Sequence, residues 1–188
     1  MLSDQAMRDR MRDGWRMGKP FTVCGNGSSL ENTKNIREWL PGIVEKYDFQ
    51  VVCDAGAGDM AWLPHMDWTG REPVDYQPFD LFPRHSAVTE IDITTQALPV
   101  CDAILCRMVL NHLVDVSPKG DRNEDRINMA LSLFKQSGDY LIATQFNGPQ
   151  PARAPQFARL DLRDRLGEPV EWVQDGHEPA CKLALWKL

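Results

Sequence analysis

The sequence has no run approaching the roughly 20 apolar residues that a membrane span needs. Its first residues, MLSDQAMRDRMRDGWRMGK, are charged and carry no apolar stretch, so they do not read as a secretory leader. Basic residues are outnumbered, 21 Lys and Arg against 27 Asp and Glu, for a net charge of -6. That balance excludes a broad, sequence-independent grip on nucleic acid, which needs clustered cations. No CxxC pair occurs among the five cysteines, Cys24, Cys53, Cys101, Cys106 and Cys181. An odd count with three members in apolar runs reads as buried, reduced thiols, as in a cytoplasmic protein. The four histidines show no ligand spacing with the cysteines, so no metal site is expected.

What is present is a rhythm of short apolar runs and helical stripes, and 188 residues fit one domain better than two. Residues 3–16 form a charged helix with Met7, Met11 and Trp15 on one face, part of an N-terminal extension over 1–24. A loop, Gly25 to Ser29, leads through Ser29 into a helix whose stripe is Ile36, Trp39, Leu40, Ile43 and Val44. QVVCD (50–54) is a buried parallel strand and a glycine turn follows it at once. Further strands are expected at 74–81, 87–93, 101–109 and 139–146. The last two, EPVEWVQDG and ACKLALWKL, form an antiparallel closing pair. A helix over 123–138 presents Ile127, Ala130, Leu131 and Phe134 to the core and stops at Gly138.

Alternating strands and helices predict an α/β, Rossmann-like fold: a mostly parallel seven-stranded sheet with an antiparallel C-terminal strand and helices on both faces. One connection is anomalous. Only Phe82 to Ser86 separate the second and third strands, whereas a parallel crossover usually needs a dozen or more residues. The covering helix is therefore expected to be missing or reduced to a loop there, with one sheet face near that edge covered by the N-terminal segment or by a partner subunit in a homodimer.

The chemistry gathers at strand ends. Asp54-Ala55-Gly56-Ala57-Gly58-Asp59 follows the first strand, with Gly56 and Gly58 free to adopt positive φ and the next helix expected to offer its N-terminal amides. Residues 56–61 also fit a dinucleotide fingerprint, with Asp75 or Asp80 at the acidic position. Three features favour S-adenosylmethionine over a nicotinamide. Asp54 precedes the glycines and can pair with a cationic amino group; some fifty residues come before the motif; and the chain is short for a second nucleotide half. Asp80 ends the second strand, where a carboxylate accepts both ribose hydroxyls, or else caps backbone amides. Asp92 ends the third strand, placed for an adenine amino group with Ile93 against the ring. The fourth strand ends in Cys106-Arg107-Met108, followed by the polar pair Asn111 and His112. His112 is either a general base near neutrality or a helix-start histidine bonded to backbone.

Several segments together resemble a family of uncharacterised bacterial and phage class I methyltransferases. They are GNGSSLENTKNIREWLP (25–41), DAGAGDMAW (54–62), FDL (79–81), DIT (92–94), LPVCDAILCRMVLNHL (98–113) and SGDYLIATQF (137–146). The resemblance spans about residues 25–146. It implies a cofactor-binding role for the glycine turn and site roles for Gly27, Ser28, Trp62 and Arg107. Ala57 stands where the family has a cysteine, and Met108 where it has an acidic residue after Cys-Arg. No Asp/Asn-Pro-Pro-Tyr/Phe and no Pro-Cys after the fourth strand occur, which disfavours the usual DNA-base methylations. The acceptor left by these absences is a small molecule, a protein side chain or an unusual nucleic-acid position. A non-catalytic cofactor-binding module and a nicotinamide-binding protein stand as alternatives.

Overall fold

The computed structural model describes residues 22–68, 73–116, 122–147 and 159–188. The expected helix over 3–16 and the Pro-rich segment beyond Asn147 lie outside these residues. Helix α1 is Lys34–Lys46, starting five residues after Ser29. The residues between form a turn held by Thr33, whose hydroxyl donates to the Ser29 carbonyl at 2.8 Å. The strands are β1 (Val51–Ala55), β2 (Asp75–Asp80), β3 (Thr89–Glu90), β4 (Cys101–Cys106), β5 (Asp115–Val116), β6 (Arg122–Asn123), β7 (Gly138–Phe146), β8 (Glu171–Gln174) and β9 (Cys181–Lys187). Helix α2 is Asp125–Ser137 and the short α3 is Arg163–Leu166.

Seven strands form one sheet in the order β3-β2-β1-β4-β7-β9-β8, and β5 and β6 make a separate two-stranded ribbon that the sequence pattern does not announce. The pairings from β3 through β7 are parallel, and β9 runs antiparallel to both β7 and β8. Side chains alternate across the central strands, as the period of two demands. Val52, Ala103, Leu105, Ile142, Leu183 and Leu185 pack on one face with Ile36, Leu40, Ile43 and Val44 of α1. Cys53, Ile104, Cys106, Leu141, Ala143, Ala184 and Trp186 pack on the other with Ile127, Ala130, Leu131 and Phe134 of α2. Each helix buries the stripe its spacing predicts, and a layer of helix thus lies on either face.

Three expectations are corrected. β3 is two residues long rather than 87–93, because Asp92 bends the chain: its carboxylate accepts the Thr94 amide at 2.9 Å and the Thr94 hydroxyl at 2.6 Å. β4 stops at Cys106 because Met108 turns to φ 57. Gly138 does not cap α2 in a left-handed conformation; it is extended, φ -144, and opens β7 directly. A Cβ there would sit 3.1 Å from Ile104 and 3.3 Å from Cys101, so closeness to β4 is what favours glycine. The short connection from β2 to β3 is free of helix, as its length requires.

Candidate functional site

The tips of β1, β2, β4 and β7 point to one edge of the sheet, the edge where open parallel sheets place their ligands. At the tip of β1, Gly56 has φ 109 and Gly58 φ 60, backbone that only glycine adopts readily. The crowding there comes from the chain itself. A Cβ on Gly56 would lie 2.1 Å from a Val109 methyl, and one on Gly58 would lie 2.6 Å from the Cys24 sulfur. The amides of Gly56 and Ala57 donate to the Phe79 carbonyl at 2.8 and 3.0 Å, and that of Gly58 to the Asp80 carboxylate at 2.9 Å. No α-helix follows the turn, contrary to expectation. Met60 adopts φ 55, and the chain then makes only a 3-10 turn, Leu63–His65. Two left-handed residues two apart, Gly58 and Met60, prevent a helix from starting at the glycines.

Three carboxylates surround this turn. Asp54 is buried, and its carboxylate accepts the Tyr76 hydroxyl. Burial pushes the Asp54 carboxyl up to about 7, over the opposing Tyr76 bond, with Asp80 adding to the rise and the Arg107 charge opposing it. Asp80 accepts amides from Gly58 and, at 2.8 Å, from Phe82, and burial raises it too. Its backbone-capping reading is thus realised, with lone pairs remaining on each oxygen for further donors. Asp59 clasps the incoming N-terminal segment: it accepts the Thr22 hydroxyl at 2.6 Å, the Val23 amide at 2.8 Å and the Ala61 amide at 3.2 Å. Cys24, seated on Gly58, has its thiol pushed up to about 12, first by burial and then by Asp59.

From Cys24 the chain crosses to the tip of β4. Arg107, itself buried, donates to the Gly27 carbonyl at 2.9 Å and makes a two-pronged pair with Asp175 at 2.9 and 2.9 Å. The turn from β8 to β9 is thereby held to β4. The His177 amide donates to Asp175 at 2.9 Å, and the His177 ring lies against Gly27. Behind it, Gly176 is packed so closely on Asn32 that a Cβ would lie 2.7 Å from the Asn32 carbonyl oxygen. Asn35 donates to the Gln174 carbonyl at 3.1 Å. Ser28 closes the 3-10 turn Asn26–Ser28, its amide bonded to the Gly25 carbonyl.

Asn111 and His112 follow β4 on a single 3-10 turn, Leu110–His112, rather than an extended helix. Burial, and then His177, hold the His112 imidazole down at about 4, so it is neutral near pH 7. Asn111 is 2% exposed, and neither atom of its side-chain amide has a hydrogen-bond partner; the same holds for His177 Nδ1. A buried amide left so costs about 1–3 kcal/mol per group, so these atoms call for an explanation. Met108 carries its strained backbone next to them, its amide donating to the Thr144 hydroxyl at 2.7 Å.

The structure therefore gathers Gly27, Asp54, Gly56, Gly58, Asp59, Asp80, Arg107, Asn111 and His112 along one sheet edge. Other candidates are buried in the two cores or engaged within their own turn. Trp62 packs into the core beside α1, Cys106 is 1% exposed in the core beside α2, and Ile93 joins that second core. The Asp92 carboxylate is engaged by Thr94 within its own turn. Tyr76, Thr144, Asp175 and His177 are members that sequence reasoning missed. Asp-Gly-His between two strands reads as an ordinary hairpin turn, and nothing local marks Asp175 as the partner of an arginine 68 residues away. Among the described residues no group of His, Cys, Asp and Glu could hold a metal ion, and no helix is long and apolar enough to cross a membrane.

Comparison with known proteins adds the fold's relatives. No family sequence model matches the chain, and no curated protein matches it in sequence. Solved structures do match. The N-methyltransferase NodS from Bradyrhizobium japonicum, in complex with S-adenosyl-L-homocysteine, superposes with a TM-score of 0.58 at 13% identity, over 100% of this chain and 98% of that one. Magnesium protoporphyrin IX methyltransferase from Synechocystis, with bound S-adenosylmethionine, gives a TM-score of 0.55 at 16% identity, over 99% of this chain and 96% of that one. The chain thus has the Rossmann-like fold of S-adenosylmethionine-dependent methyltransferases, as the sequence pattern leads one to expect. One is named as an N-methyltransferase and the other for magnesium protoporphyrin IX, so the fold carries no single acceptor with it.

Proposed function

We propose that this chain is a methyltransferase that binds S-adenosylmethionine at the tips of β1, β2 and β4. The observation that carries the reading is Asp54: a buried carboxylate beside a glycine turn, bonded to a tyrosine hydroxyl and, among the described residues, to no cationic side chain. A carboxylate in that position favours a cationic partner, and the amino group of the methionine portion is one. Asp80, at the neighbouring strand tip, keeps lone pairs that would accept the ribose hydroxyls. The bound group supplies an activated methyl on a positively charged sulfur. The chain's own residues bind it, fix its orientation and shield it: Asp59 draws Thr22 and Val23 over the glycine turn, and Arg107 holds the Gly27 loop against β4. Orientation and exclusion of water are most of what an in-line transfer asks of a protein.

The nicotinamide alternative fits less well. A pyrophosphate would meet Asp54, Asp59 and Asp80 around the turn, and the amides of Gly56, Ala57 and Gly58 are already committed within the protein. The sheet also departs from the all-parallel order 3-2-1-4-5-6 of dinucleotide-binding folds, since β9 inserts antiparallel between β7 and β8.

Titration calorimetry with S-adenosylmethionine, S-adenosylhomocysteine and NAD tests this reading. Both sulfur compounds are expected to bind, and Asp80→Ala to weaken them by roughly tenfold or more, because charge-assisted hydrogen bonds are worth about 1.5–3 kcal/mol. Tighter binding of NAD would overturn the proposal. Formation of S-adenosylhomocysteine in the presence of cell extract separates an enzyme from a module that binds without turnover.

A further inference from the structure

The donor site leaves three groups unused at the other end of the same edge: Asn111, His112 and His177. They come from two elements far apart in sequence, the turn after β4 and the turn between β8 and β9. The Arg107–Asp175 pair fastens those elements together, and the imidazoles of His112 and His177 are near enough to influence each other's charge. Asn111 and His177 Nδ1 offer buried hydrogen-bonding atoms that no other described residue satisfies.

Among the described residues, the charges at this rim are paired. Arg107 is bound to Asp175, and Glu178 of the same turn pairs with Arg159 at 3.3 Å. An anionic acceptor would need a free guanidinium or ammonium here, and a cationic one a free carboxylate. What remains among the described residues is one amide and one ring nitrogen, which together can both donate to and accept from a single small group.

We propose that Asn111 and His177 form the acceptor subsite and that the group they take is an uncharged hydroxyl, bonded by the Asn111 amide and by His177 Nδ1. The role as acceptor subsite rests on the methyltransferase reading; the binding preference does not. Arg107 and Asp175 are positioning residues, since they fix the turn that carries His177. His112, its imidazole held neutral by burial and then by His177, adds no positive charge of its own at neutral pH.

The test is NMR titration of the full-length protein, with and without saturating S-adenosylhomocysteine, read on the Asn111 side-chain amide signals assigned through Asn111→Ala. The probes are phenol, anisole, benzoate and benzylammonium. Phenol is expected to move the Asn111 signals saturably, to bind at least about tenfold more tightly than the other three, and to weaken by about tenfold in His177→Phe, as the loss of one hydrogen bond implies. Benzoate or benzylammonium binding as tightly as phenol, anisole matching phenol, or no probe moving the Asn111 signals would each overturn the subsite. If S-adenosylhomocysteine fails to bind while phenol still does, the donor reading falls and the hydroxyl preference stands.

Discussion

Asp54 makes the proposed donor site titratable in the physiological range, with a consequence that can be worked through. Moving a carboxyl from its ordinary 3.8 to about 7 disfavours its ionised form by about 4 kcal/mol. The folded value lies above the unfolded one. This contribution is therefore neutral below about pH 4, costs stability progressively as pH rises from there, and levels off above about pH 7. A cationic ligand that needs the ionised form reverses the effect by drawing the proton off. If only ionised Asp54 is competent, the competent fraction falls from about nine-tenths at pH 8 to about one-tenth at pH 6, and apparent affinity falls about tenfold with it. Calorimetry of S-adenosylhomocysteine binding at pH 6, 7 and 8, in two buffers of different protonation enthalpy, reads both quantities. The affinity should rise with pH, and the heat at pH 7 should differ between buffers by the release of about half a proton. Asp54→Asn should flatten both dependences. An affinity independent of pH, with heats equal in the two buffers and unchanged in Asp54→Asn, would refute the argument.

Further expectations follow from the packing around the turn. Gly56→Ala should lower stability by about 2–4 kcal/mol in denaturant titrations, because it combines positive φ with a clash on Val109, and Gly56→Ala/Val109→Ala should recover the clash but not the backbone strain. Arg107→Met should cost about 3–5 kcal/mol by stranding the buried Asp175 carboxylate, whereas Arg107→Met/Asp175→Leu should cost much less than the sum of the single changes; additive losses in the denaturation midpoint would show that the pair is not coupled.

The sheet was legible because its evidence is local. Val52 against Cys53, and Ile104 against Leu105, alternate between two cores, and Ile127, Ala130, Leu131 and Phe134 recur at helical spacing; each pattern needs only a few neighbouring residues. The position of the glycine turn was legible for the same reason, but its cause was not. Gly56 answers to Val109 and Gly58 to Cys24, contacts that cross the chain and leave no local signature. The absent helix after the turn is a case of a familiar spacing, two glycines ahead of small and apolar residues, overridden by a left-handed Met60. Gly138, placed correctly as a boundary, is explained by β4 rather than by helix capping.

The segment from Thr22 to Ser28 shows why the site residues were harder to assign than the fold. Read as a motif, Gly27 and Ser28 point to a ligand. In the structure the same loop first serves the protein: Asp59 holds one end by Thr22 and Val23, Arg107 holds the other by the Gly27 carbonyl, and Asn32 supports the turn carrying His177. One short stretch of backbone is thus tied to both the glycine turn and the rim at Asn111. A loop anchored at two points on rigid strand tips fixes their separation, and two-substrate chemistry depends on that distance. Gly25 is accounted for by its backbone, φ 91, whereas a Cβ on Gly27 would make only ordinary contact with the His177 ring at 3.5 Å, so packing within the chain does not by itself call for glycine at 27.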